Sequence, residues 1–92
     1  MTTRKLTARF LDTIKTAEAQ IEFRDALERG LEIRVTRGGV KTWALRYRRR
    51  SDRKKRIITL GRYPDKRLEE ARQLAAKLRV AVANGGDPAA GV

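Results

Sequence analysis

The chain has 92 residues, 40% hydrophobic and 37% charged. That suits one small domain with a modest core, and no apolar run approaches the roughly 20 residues of a membrane-spanning helix. There is no cysteine, so disulfide and thiol chemistry are excluded. The opening MTTRKLTARF has no apolar signal-peptide core, and the cytosol or nucleoid is the expected location.

Charge is the strongest bulk signal. Lys and Arg number 23 against 11 Asp and Glu, a net charge of +12 with a pI near 11.3. Residues 1–30 hold six basic and five acidic side chains, and residues 67–92 hold four and three, so each segment is +1. Residues 31–66 hold thirteen basic and three acidic side chains, net +10. A basic surface concentrated in this way is the footprint of a phosphate-backbone binder. A merely solubilising surface would mix the two signs.

In chain order, Leu6, Phe10, Leu11 and Ile14 recur at helical spacing, with Thr7 as the cap of a two-turn helix. Ile21 and Phe23 alternate with Glu22 and Arg24 as a short strand, which Gly30 punctuates. In LEIRVTR, residues 31–37, Leu31, Ile33 and Val35 face one way and Glu32, Arg34 and Thr36 the other. Gly38-Gly39 supplies a tight turn. KTWALRYRR then puts Trp43, Leu45 and Tyr47 on one face and Thr42, Ala44, Arg46 and Arg48 on the other. After a polar turn at Ser51-Asp52, KRIITLG places Ile58 and Leu60 inside and Ile57 and Thr59 outside.

A small sheet with one apolar face needs a cover. Leu68, Ala71, Ala75, Leu78 and Val82 form a helical stripe that supplies it. Glu69 and Glu70 suit the positive end of that helix's dipole, and Gly85-Gly86 with Asp87-Pro88 stop it. The expected fold is α+β: a three-stranded antiparallel sheet packed on one C-terminal helix, preceded by a short N-terminal helix and strand. The tail after Pro88 is expected to be disordered.

The basic run from Arg46 to Arg56 is then the solvent side of a hairpin plus its turn. A two-stranded ribbon fits the major groove of B-DNA, where Arg donates twice to guanine and Thr methyls touch thymine methyls. Arg34, Thr36, Arg46, Arg48 and Thr59 are the outward candidates. Arg49, Arg50, Arg53, Lys54, Lys55 and Arg56 are placed to reach phosphates, and Arg37, Lys41 and Arg62 complete the candidate DNA-binding set.

Plainer readings stand beside these. Trp43 and Tyr47 phase with Leu45 and are expected in the core, not as stacking platforms. Thr36 and Thr59 fit β-propensity alone, and Arg34 has Glu32 as an ion-pair partner. An RNA or single-strand binder is one alternative function. A docking module using Arg72, Lys77 and Arg79 on the helix is another. Catalysis finds no support: there is no His or Cys, the acidic residues lack metal-ligand spacing, and no phosphate loop or nucleophile motif is present. No cofactor, metal or small-molecule substrate is expected.

The ordered set Leu6-Thr7, Asp25, Gly30-Leu31, Arg34-Val35-Thr36, Lys41, Trp43, Tyr47-Arg48, Thr59-Leu60-Gly61, Tyr63-Pro64 and Glu70-Ala71-Arg72 closely resembles the N-terminal DNA-binding domain of prophage-type tyrosine recombinases. The match covers about residues 5–88. The resemblance implies a non-catalytic domain over residues 1–88, with residues 89–92 a tail or the start of a linker. It implies binding to arm-type sites on double-stranded DNA through a sheet in the major groove. It also implies, as partners, the core-binding and catalytic remainder of an integrase and neighbouring recombinase subunits, in the bacterial cytoplasm at the nucleoid. One departure concerns the last helix, where the family often carries a Ser cap. Arg67 stands at that position here, and Asp65 is a second candidate.

Overall fold

The computed structural model describes residues 2–14 and 20–88. Its elements are β1 (Thr2–Arg4), α1 (Ala8–Thr13), β2 (Ile21–Asp25), β3 (Leu31–Val35), β4 (Lys41–Arg48), β5 (Lys55–Tyr63) and α2 (Leu68–Ala83). The α+β class and the C-terminal helix are as expected. The three-stranded sheet is corrected to five strands in the order β1-β2-β3-β4-β5. β2, expected only as a preceding strand, pairs antiparallel with β3, aligning Phe23 with Ile33. β1 adds a parallel edge, aligning Thr2 with Phe23. Three polar, exposed residues carry no alternation signal, so β1 depends on a partner far along the chain.

The register of β3, β4 and β5 realises the alternation. Ile33 faces Trp43, and Leu45 faces Ile58. These side chains join Leu6, Leu11, Leu31, Val35, Tyr47, Tyr63, Ala71 and Ala75 in one core, with Leu60, Leu68, Leu78 and Val82 packed against it. Burying each large apolar side chain stabilises by about 1.5–3 kcal/mol. Trp43 is fully buried, and its indole N–H donates to the Lys66 carbonyl at 2.8 Å, so its one polar atom is satisfied.

A bulge between Trp43 and Ala44 changes the phase of β5. Thr59 faces Ala44 and Gly61 faces Trp43, which leaves Leu60 as the extra residue. Gly61 takes φ +141°, a conformation L side chains rarely adopt. Past the bulge, odd-numbered residues point inward. Tyr63 is therefore buried and packs edge-on to Trp43, while Arg62 faces outward beside Thr42.

The helix ends follow their sequence signals. Thr7 Oγ1 accepts from the Phe10 amide at 3.1 Å and starts α1. Phe10 packs edge-on to Phe23 with ring centroids 5.1 Å apart, which seats α1 on the sheet. Arg67, not Asp65, is the N-cap of α2, and its amide donates to Glu70 at 3.1 Å. The reach-back from Glu70 satisfies an end amide without a capping hydroxyl. The helix ends at Ala83, followed by Gly85 at φ +93°. The expected tail, residues 89–92, lies outside the described residues.

One buried polar clamp ties three segments together. The side chain of Asp25 has no exposed surface, and it accepts from Arg72 Nε at 2.8 Å and Nη2 at 3.1 Å. It also accepts from the amides of Leu6 at 3.2 Å and Leu27 at 3.3 Å. Arg72 Nη2 in turn donates to the Leu6 carbonyl at 2.8 Å. Burial pushes the Asp25 carboxyl up, but the bonds from Arg72, Leu6 and Leu27 outweigh it and hold the carboxyl below its usual range. The N-terminal segment, the end of β2 and the first half of α2 are locked by one ion pair.

Candidate nucleic-acid interface

Strand alternation sends a second set of side chains away from α2. Register aligns Glu22, Arg34, Thr42 and Arg62 in one row across β2 to β5. The next row holds Arg24, Glu32, Ala44 and Thr59. Beyond these, Arg46 faces Ile57 and Arg48 faces Lys55.

The two halves of this surface differ electrostatically. On the β2–β3 side, Glu32 has no exposed surface although it points away from the helix. It accepts from Arg46 Nε through one oxygen and from Arg34 Nε, at 3.1 Å, through the other. Glu22 extends the network, 3.4 Å from Arg46 Nη2 and 3.7 Å from Arg34 Nε. The Arg46 and Arg34 side chains nevertheless keep 39% and 32% exposure, so both guanidinium groups are held and still reachable. On the β4–β5 side, Arg48, Lys55 and Arg62 make no ion pair among the described residues. Between these basic ends lie the short polar Thr42 and Thr59 and the exposed apolar Ile57.

The turn from β4 to β5 is braced. Arg49 donates to both carboxylate oxygens of Asp52, and its Nη1 lies 3.3 Å from Asp87. The Arg49 guanidinium brings the Asp52 carboxyl down to about 2. Asp52 also accepts the Lys54 amide at 3.1 Å. Arg50 donates to the Ala83 carbonyl at the end of α2, which docks the turn on the helix. Tyr47 donates to Asp87, the largest cause of that carboxyl's lowered pKa.

The candidate residues therefore fall into three groups. Arg34, Arg46, Arg48, Lys55, Thr59 and Arg62 share the outer face. Thr36 and Arg37 sit at the β3–β4 turn, while Arg50, Arg53 and Lys54 sit at the opposite end of the ribbon. Lys41, Arg49 and Arg56 turn to the helix side. Lys41 aligns with Tyr63 and donates to the Leu11 carbonyl, and Arg56 aligns with Tyr47 and lies 3.7 Å from Asp87. Glu22 and Glu32, the carboxylates that organise the face, were not among the candidates. Their signal was an acidic residue at an outward position two residues before an arginine, Arg24 and Arg34.

The proposed docking surface on α2 is altered. Arg72 is committed to the Asp25 clamp, and Arg79 pairs with Glu28 at 3.0 Å. Lys77 remains exposed. All five aromatic side chains lie in the core or against it, so none forms a stacking platform.

Comparison with known proteins decides between the readings this basic face allows. A family described as "Arm DNA-binding domain" matches residues 6–91. The chain belongs to this family. As an arm domain, it is a DNA-binding module and not a catalytic one. It is 36% identical over 83 residues to the integrase of Shigella phage Sf6 and, equally, to the prophage integrase IntS of Escherichia coli K12. It is 32% identical over 84 residues to the integrase of Enterobacteria phage P4. These alignments cover 90–91% of the arm domain but only 19–20% of each integrase. The chain thus spans about a fifth of the length of these relatives. No helix among the described residues is long and apolar enough to cross a membrane.

Proposed function

We propose that the arm domain grips duplex DNA at arm-type sites by laying the outer face of β3–β5 in the major groove, as the DNA-binding module of a site-specific integrase. The observation that carries this reading is the pairing of held and unpaired cations on one face of the sheet. Glu32 holds Arg34 and Arg46 in fixed planes, so little side-chain freedom is lost when they meet a guanine edge. Thr59 and Ile57 offer methyl groups to thymine. Arg48, Lys55 and Arg62 leave charge for the groove walls, and Arg37, Arg50, Arg53 and Lys54 at the two ends reach phosphates. Strands about 4.8 Å apart make a ribbon narrow enough for a groove about 12 Å wide.

The partners in this reading are duplex DNA, the rest of an integrase chain and neighbouring recombinase subunits. The nucleoid follows as the location. Single-stranded DNA and RNA fit less well, because the aromatic side chains lie in or against the core.

Fluorescence anisotropy tests the reading. A labelled duplex carrying the direct repeats that flank an integrating element is compared with a scrambled duplex and a single strand, at two salt concentrations. Preference for the repeat duplex is expected, with affinity falling by a slope of about −0.9 per phosphate contact. Equal binding to all three would reduce the domain to a general polyanion binder.

A further inference from the structure

At the Gly30 end of the sheet lies a cleft of about 500 Å³, between the start of β5 and the last turn of α2. Six arginines and one lysine line it, and no carboxylate does. Four of the lining residues, Arg24, Arg46, Arg48 and Lys55, stand at the edge of the outer face described above. Arg24 and Arg29, from the N-terminal third, lay outside the candidate DNA-binding set. The side chains of Arg24, Arg29, Arg48 and Lys55 make no ion pair among the described residues, whereas Arg46, Arg56 and Arg79 do. Tyr47, Val82 and Gly30 give the cleft a low-dielectric wall, which strengthens the field of the free cations.

The position is unusual for such a concentration of charge. The C-terminal end of α2 carries the negative pole of the helix and would repel an anion. Arg50 donates to the Ala83 carbonyl there, and Arg79 stands one residue before the last turn. The corner is therefore positive despite the dipole. A backbone of regularly spaced single negative charges, passing from the outer face over Arg48 and Lys55, meets Arg24 and Arg29 next.

We infer that this cleft is a second DNA contact, which holds phosphodiesters of one strand beyond the base pairs that the sheet reads. This rests on the proposed duplex reading and extends its footprint past one end of the ribbon. The contact is to backbone alone, because no base edge follows the strand out of the groove. It adds affinity and salt dependence without adding sequence preference.

The test is the double variant Arg24→Ala, Arg29→Ala, titrated against a long repeat duplex and against duplexes trimmed by about five base pairs, half a turn, from either end. Both side chains are exposed, and circular dichroism confirms that the variant is folded. On the long duplex the affinity is expected to fall about tenfold and the salt slope by about 1.8, two phosphate contacts at about 0.9 each. Repeat and scrambled sequences lose equally. Trimming one end abolishes the difference between variant and wild type; trimming the other preserves it. An unchanged salt slope on the long duplex overturns the cleft while leaving the sheet reading intact. So does an equal loss on all three lengths, which marks a general charge effect. Failure of the wild type to bind any duplex overturns both.

Discussion

Arg46 donates its Nε hydrogen to Glu32, a carboxylate with no exposed surface on the face that points away from the core helix. The same carboxylate accepts from Arg34 at 3.1 Å. One buried anion thus aligns two arginines of the proposed reading face. The isosteric change Glu32→Gln keeps the shape and removes the charge. It is expected to cost about 1 kcal/mol of discrimination between repeat and scrambled duplexes, at the low end of the ~1–3 kcal/mol of a good bidentate base contact. Binding to scrambled DNA is expected to hold or tighten, because one repelling charge is gone. Competition titrations with the two duplexes measure both effects.

The Asp25–Arg72 clamp makes a stability prediction independent of DNA. Arg72→Ala leaves a buried carboxylate without its cation, and breaking a buried pair in this way costs about 3–5 kcal/mol. That is a large share of the ~5–15 kcal/mol available to a small domain. Urea denaturation is expected to show a midpoint far below that of wild type. Arg72→Lys restores charge but not the two-nitrogen grip, and falls between them. A midpoint within experimental error of wild type for Arg72→Ala would remove the clamp from the account of stability.

The same clamp fixes the direction of the acid response. The Asp25 carboxyl lies below its usual value in the folded state, which is about 3.9 when unfolded. Its contribution is fully present above the unfolded value and is lost as the pH falls through the folded one. Wild-type melting temperature is expected to drop steeply below about pH 4. Asp25→Asn starts lower at neutral pH and flattens that slope. Some slope remains, because the Asp87 carboxyl is also lowered, first by its bond from Tyr47.

Separation of base and phosphate contacts is expected between Ile57 and Lys54. Ile57 stands on the outer face opposite Arg46 with 39% exposure. Ile57→Ala is expected to weaken thymine-containing repeats by about 1 kcal/mol, roughly the burial of one or two methylenes, with no change in salt slope. Lys54→Ala is expected to weaken all duplexes alike and to reduce the slope by about 0.9. Binding isotherms at several salt concentrations read both quantities.

Much of this architecture was legible in the alternation of LEIRVTR, KTWALRYRR and KRIITLG, because a half-buried strand imposes period two on its side chains. The inward set Leu31, Ile33, Val35, Trp43, Leu45 and Tyr47 is buried. Alternation also placed Lys41 with Trp43 and Arg56 with Ile58, on the helix side. Charge argued for the opposite face, and the register sides with phase. What the pattern did not carry was long-range. The pairing of Thr2–Arg4 with β2 has no local signature. The bulge at Leu60-Gly61 reverses the phase of β5 and buries Tyr63, and only Gly61 hinted at it. Outward position also failed to predict exposure for Glu32, which the arginines beside it cover.

The most direct measurement is an NMR titration of the isotopically labelled domain with the repeat duplex, following amide and side-chain shifts. The expected result places the largest changes at Thr42, Arg46, Arg48, Lys55, Ile57, Thr59 and Arg62, with the exposed face of α2, around Lys77 and Val80, unmoved. Largest changes along α2, with the outer face of the sheet unperturbed, would contradict the proposal that this sheet enters the groove.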